Sequence, residues 1–244
     1  MRRATTMLLA AALITAGCAD AAPPGGAAGS AAPNGPVVRI MPLGDSITDG
    51  DESPGAYRTE LYRQLTAAGV RVDFVGSKQS GPASLPDRDH EGHGGYRIDE
   101  IDAGATEWVR AAGPRLVLLQ LGTNDMLLNY DVEHAPQRMS GLIDHVIAAA
   151  PGADVYVASL LPLDDRAAQA RAAAFNAALP GIVRDKGARV HFVDMRDALT
   201  PGDLDDGVHP TAAGFAKMAR VWAAALKPAL TPAGSTGPAA TPRS

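Results

Sequence analysis

The chain has 244 residues, 46% of them hydrophobic and 20% charged, a balance that fits one ordinary globular domain. A formal net charge of -5, with no basic cluster along the chain, excludes nucleic acid as a partner, since phosphate binding needs a basic surface. The single cysteine, Cys18, excludes an intrachain disulfide, and it excludes a thiolate metal site or cysteine nucleophile in the folded domain.

Met1, Arg2 and Arg3 carry the initial positive charge, and residues 7–16 form a short, mostly apolar run. That pattern reads as a signal peptide over 1–17 rather than a membrane span. It ends in Thr15-Ala16-Gly17-Cys18, which resembles the bacterial lipobox, so Cys18 is the expected lipidation site. The alternative is cleavage a few residues later, with no anchor. Either way the protein is expected outside the cytoplasm, meeting a membrane only through a lipid on Cys18. Residues 18–36 read as a flexible linker and 231–244 as a disordered tail, because their Ala, Gly, Pro and Ser cannot repay the entropy of ordering. The folded domain is then 37–230, expected as a monomer.

Within it, 37–41 (VVRIM) reads as a strand, and 57–68 as a helix with Leu61 and Leu65 one turn apart. Residues 70–75 are strand-like, and 76–95 are a loop rich in Gly, Pro and Asp. The next helix spans 98–111, with Ile98, Ile101 and Trp108 on one side. Residues 116–121 (LVLLQL) are nearly all apolar, as expected of a central parallel strand covered on both faces. A helix over 135–150 is stopped by Pro151-Gly152, and a strand follows over 155–161. Residues 166–186 are helical with a break at Pro180-Gly181, 189–193 form the fifth strand, and 211–226 the last helix. Strands alternating with helices predict an α/β fold, a three-layer α/β/α sandwich on a five-stranded parallel sheet. The economical strand order is 2-1-3-4-5, as in flavodoxin-like folds.

Ligands of such sheets bind at the carboxyl ends of the strands. Gly44-Asp45-Ser46 follows the first strand, Gly122-Thr123-Asn124-Asp125 the third, and Asp206-Gly207-Val208-His209 the fifth. Ser46, Asn124 and His209 are therefore expected along one rim. A serine hydroxyl needs a base to become a nucleophile, and histidine titrates in the useful range. Asp206, three residues before His209, can hold its Nδ1 proton and fix the tautomer. The oxyanion of a tetrahedral intermediate needs donors, each worth ~3 kcal/mol in well-studied hydrolases. The Ser46 N–H, the Asn124 amide and the Gly95 N–H are the candidates, Gly95 because a missing side chain allows close approach. No cofactor or metal is implied.

GDSIT at 44–48, the glycine of HGGYR, GTND at 122–125 and DGVH at 206–209 resemble, in order and spacing, the four blocks of the SGNH (GDSL) hydrolase superfamily. More narrowly, PGAYRTELY at 54–62, DHEGHGGYRIDEI at 89–101 and DGVHPTAAGFAKMA at 206–219 are similar to carbohydrate esterase family three, known for acetylxylan esterases. The resemblance implies Ser46 as nucleophile, His209 as base and Asp206 as its orienting carboxylate. Ser46, Gly95 and Asn124 would form the oxyanion hole, and an acylated polysaccharide or other small ester would be the substrate. Tyr96, where many relatives have Trp, and Asp45 are expected to border the substrate. Competing readings are a lysophospholipase or thioesterase with 126–128 lining an acyl trough, and a non-catalytic glycan-binding lipoprotein.

Other residues have plainer readings. Asp45 is an N-cap or ion-pair partner with no catalytic step, and Asp125 orders the loop under Asn124. His90 and His93 belong to the segment leading to Gly95 rather than to a metal site. Asp203 and Asp205 read as a solvated acidic loop. His134, His145 and His191, with no carboxylate or serine in a convincing register, read as surface or packing residues.

Overall fold

The computed structural model describes residues 35–50 and 55–230. Cys18, the expected leader and tail, and nearly all of the linker lie outside the described residues. The first strand, β1 (Val37–Gly44), leads into a one-turn helix α1 (Ser46–Asp49), then α2 (Ala56–Ala67) and β2 (Arg71–Phe74). Two short strands, β3 (Lys78–Gln79) and β4 (Asp89–Gly92), precede α3 (Ile98–Ala112) and the central β5 (Leu116–Gln120). A short α4 (Thr123–Leu127) and α5 (Ala135–Ala149) follow, then β6 (Asp154–Ala158), α6 (Arg166–Asp185), β7 (Val190–Val193) and α7 (Ala212–Leu230). Among the described residues no helix is long and apolar enough to cross a membrane.

β1, β5, β6 and β7 pair in parallel in that order. Side chains alternate across β5: Val117 and Leu119 join a core with Ile98, Ile101, Met139 and Leu142, while Leu116 and Leu118 join one with Tyr57, Leu61 and Trp222. Accordingly α3 and α5 pack side by side, as do α2 and α7. The second core is pinned by Trp222, fully buried with its ring centroid 6.0 Å from that of Tyr57. Burying one large apolar side chain contributes about 1.5–3 kcal/mol.

The expected three-layer fold and the order 2-1-3-4-5 are both present, but the described sheet has seven strands. β2 lies along Val37–Ile40 of β1 and β4 along Leu43–Gly44, both on the side away from β5. One lane of the expected five is thus made of two pieces. β3 adds an antiparallel pairing outside β4. Hydrophobic alternation does not reveal β4, whose sequence is Asp-His-Glu-Gly; His90 and Glu91 are fully buried by polar pairing instead.

Two further expectations need correcting. α6 runs unbroken through Pro180, with Leu179 and Val183 buried on either side of it. β6 ends at Ala158 rather than continuing to 161, because the Asn176 side chain takes the Leu160 N–H and C=O at 2.7 and 3.0 Å.

Candidate active site

β1 ends at Gly44, and the chain turns at once into α1. Asp45 caps the turn: its Oδ1 accepts the Ile47 N–H at 3.0 Å, and its carbonyl accepts those of Thr48 and Asp49. Ser46 alone from Met41 to Gly50 is not fully buried. The turn therefore presents one hydroxyl at the carboxyl end of the first strand. Asp45 is only 1% exposed, so the fold directs it inward as a cap and corrects its expected place beside the substrate. Burial pushes its carboxyl up to about 6, against the pull of the Ile47 N–H.

The structure brings His209 to Ser46 from 163 residues away, with Oγ and Nε2 2.8 Å apart. On the other side of the ring, Nδ1 lies 2.7 Å from Asp206 Oδ2. Asp206 Oδ1 accepts the backbone N–H of Val208 at 2.9 Å and of His209 at 2.7 Å. Burial opposes ionisation of Asp206, but the His209 and Val208 bonds outweigh it and hold the carboxyl at about 2. An ionised Asp206 accepts the Nδ1 proton, leaving Nε2 a lone pair aimed at Ser46 Oγ.

Asn124 sits in α4, directly after β5, and its Nδ2 donates to the Tyr96 carbonyl at 2.9 Å. An amide NH2 carries two hydrogens, so the second remains for a ligand. Asp125 beneath it is fully buried, accepting the Ile98 N–H at 3.1 Å and pairing with Arg138 at 2.8 Å. It ties α4 to α3 and α5, as an ordering role requires.

Gly95 lies in a turn, residues 93–96, closed by the Tyr96 N–H donating to the His93 carbonyl at 3.2 Å. It has φ +79°, in the left-handed region that side chains disfavour. A Cβ there would meet nothing within 4 Å. Backbone conformation is therefore one reason for this glycine, and the space that a Cβ would enter is open. Close approach belongs to Gly92, whose added Cβ would sit 2.4 Å from the Asp49 nitrogen, against the turn that carries Ser46. Tyr96 is 39% exposed and stacks on His93.

Behind α1 lies a buried polar network that sequence reasoning missed. Arg58, fully buried, donates Nε to the Thr48 carbonyl at 3.1 Å and Nη2 to the Asp49 carbonyl at 3.0 Å. Nη2 also reaches Ser80 Oγ at 2.8 Å. His90 Nδ1 accepts the Gly92 N–H at 3.0 Å, which places its proton on Nε2, 2.9 Å from Ser80 Oγ. Burial, aided by the Arg58 charge, lowers His90 to about 3, so it is neutral. The available signal was an arginine on the buried face of α2, in line with Leu61 and Leu65. Such a charge needs a polar target inside.

The remaining histidines and acids have defined partners. His93 lies 2.7 Å from Glu91, and among the described residues no group of three His, Cys, Asp or Glu is arranged to hold a metal ion. Asp203 is not solvated: Lys217 pairs with it at 2.6 Å, and the Thr200 hydroxyl donates to it at 2.8 Å. His134 and His145 do have carboxylates, Asp131 and Asp102, each at 2.7 Å, and His191 stacks on Tyr156. Met126 is fully buried in the core while Leu128 is 63% exposed, so 126–128 form no shared acyl trough.

A hydroxyl, imidazole and carboxylate in series at a parallel sheet's carboxyl edge define a hydrolase-like site. Residues 43–217 match the GDSL-like lipase/acylhydrolase family, and the chain belongs to it, a family of hydrolases acting on esters. Among solved structures it is similar to a family 3 carbohydrate esterase from Clostridium thermocellum: 37% identity, 80% of this chain and 98% of that one covered, TM-score 0.73. A family 3 carbohydrate esterase from Talaromyces cellulolyticus shares 31% identity over 79% of this chain and 98% of that one, TM-score 0.70. The chain is also 28% identical over 215 residues to a multidomain esterase from Ruminococcus flavefaciens, covering 76% of this chain. It spans 28% and 55% of the lengths of the two curated relatives it matches.

Proposed function

We propose that the protein is an exported esterase that removes small acyl groups, acetyl above all, from a polysaccharide such as xylan. The observation that carries this reading is the series Ser46 Oγ–His209 Nε2 at 2.8 Å and His209 Nδ1–Asp206 Oδ2 at 2.7 Å. Ser46 Oγ attacks the ester carbonyl carbon as its proton passes to His209 Nε2. Negative charge on the former carbonyl oxygen is met by the Ser46 and Gly95 N–H groups and the second Asn124 amide hydrogen. The C–O bond to the sugar breaks, and the imidazolium gives its proton to the departing sugar oxygen. Water, deprotonated by the same histidine, then cleaves the acyl-enzyme, releasing the acid and restoring Ser46.

The similarity to two family 3 carbohydrate esterases supports a carbohydrate ester as substrate. The exposed Tyr96 ring beside Gly95 is suited to the apolar face of a sugar. Export rests on the charged and apolar pattern of 1–17, with Cys18 as the lipid-bearing first residue of the mature chain. The test is acetate release from acetylated xylan by wild type and Ser46→Ala. Release by wild type alone is expected. Release by Ser46→Ala refutes the nucleophile, and hydrolysis of p-nitrophenyl acetate but not of the polymer refutes the xylan assignment.

A further inference from the structure

We infer that His93, latched by the buried carboxylate of Glu91, is a positioning residue for the oxyanion donors. The inference rests on the proposed roles of Gly95 and Asn124. The turn over 93–96 has little packing of its own: Gly94, Gly95 and Tyr96 are all exposed, and nothing lies within 4 Å of a Cβ built on Gly95. Its anchorage comes from His93. The His93 backbone N–H donates to the Gly44 carbonyl at 2.9 Å, tying the turn to the strand that carries Ser46. The His93 ring stacks on Trp108, with centroids 4.4 Å apart at 19°, and on Tyr96, at 4.9 Å and 25°.

The same ring is held in rotation by Nε2, 2.7 Å from Glu91 Oε1. Glu91 is fully buried, and its other bonds are both from Ser77: the N–H to Oε2 and the hydroxyl to Oε1, each at 2.7 Å. A carboxylate with three donors around it has no reason to rotate. Ser77, Glu91, His93 and Tyr96 thus form one chain of contacts. It ends on both donors, because Gly95 lies within the turn and the Tyr96 carbonyl holds Asn124 Nδ2 at 2.9 Å. Displacing the ring moves the Gly95 N–H and the Asn124 amide together. Ground-state binding of a small ester uses neither strongly, so the effect belongs on kcat.

The experiment uses His93→Phe, which keeps a ring in the stack and removes the bond to Glu91, assayed on p-nitrophenyl acetate. We expect kcat to fall about 10- to 100-fold, the scale of a 1 Å misplacement, with KM unchanged. The double variant with Asn124→Ala separates this from general loosening: losses acting through the same donors do not multiply. Unchanged kcat in His93→Phe beside a large loss in Asn124→Ala overturns the positioning role, as does a double variant whose loss is the product of the two. Unchanged kcat in Asn124→Ala overturns the oxyanion assignment beneath it. If His93→Phe does not fold, Glu91→Gln provides the same reading. It retains an acceptor for Ser77 and forces the His93 bond to reverse direction.

Discussion

Two of the chain's Asp-x-x-His pairs, Asp206–His209 and Asp131–His134, are locally alike. In each, the carboxylate oxygen lies 2.7 Å from the histidine Nδ1. They part company in their surroundings. The His209 side chain is 25% exposed and its Nε2 meets Ser46, whereas that of His134 is 66% exposed at the start of α5. Asp206 gives its second oxygen to backbone N–H groups that are part of its own loop, while Asp131 gives its second oxygen to Arg138 at 2.8 Å. In both, the carboxylate–imidazole pair is local; the Ser46 hydroxyl, delivered by another strand end, makes only that of His209 a candidate for catalysis.

The largest expected effect tests that distinction directly. Ser46→Ala or His209→Ala lowers kcat on p-nitrophenyl acetate by about 10⁶-fold, the scale of losing a serine or histidine from a catalytic triad. His134→Ala leaves it unchanged. A loss in His134→Ala, or a loss of only a few-fold in His209→Ala, breaks the comparison.

Exchanging the carboxylates sharpens it. Asp206→Asn lowers kcat about 10⁴-fold, because an amide oriented by the same backbone donors favours the wrong histidine tautomer. Asp131→Asn leaves kcat as it was. The folded-state Asp206 carboxyl, at about 2, lies below its ordinary 3.8. Its contribution to stability is therefore present above about pH 4 and lost as the pH falls through about 2. Acid unfolding followed by circular dichroism, wild type against Asp206→Asn, reads that loss. Next in size is Asn124→Ala, expected to lower kcat by about 10²- to 10³-fold with the His209 geometry untouched. A loss of a few-fold would remove Asn124 from the oxyanion site.

The smallest effect is on stability, and it has the opposite sign to that of Asp206. Asp45 releases its proton near 3.8 when unfolded and near 6 when folded. Between those values the folded state holds more protons, so stability falls as pH rises from about 4 to about 6 and is level above. Asp45→Asn keeps an acceptor for the Ile47 N–H and removes the slope, gaining up to about 3 kcal/mol at pH 7. Urea midpoints at pH 4 and pH 7 measure it. Equal wild-type midpoints would show that Asp45 ionises as freely in the fold as out of it.

Much of this molecule was legible because its signals are local. The apolar runs of β1 and β5, helix periodicity between strands, and motifs set directly after β1 and β5 and ahead of α7 all follow from side-chain type and spacing along the chain. They predicted the layered α/β fold, the lane order and the residues that meet at one rim. β4 was not legible, because Asp-His-Glu-Gly has no apolar period; its burial depends on Ser77, Ser80 and Asp49 reaching it from elsewhere. Arg58 was visible only as a charge on an apolar face, since its acceptors come from α1 and from residues 80 and 88.

By itself, then, the sequence determined the layered α/β fold, the motifs that directly follow β1 and β5, and the carboxylate three residues ahead of His209, all set by side-chain types and spacings a few residues long. Only the tertiary structure decided that Asp45 points inward, that Arg58 and His90 meet Ser80 in one polar network behind α1, and that Gly92 passes close against the turn carrying Ser46. Those outcomes depend on which distant segments share a strand edge. That is fixed when the two cores pack against the sheet, and no local interaction encodes it.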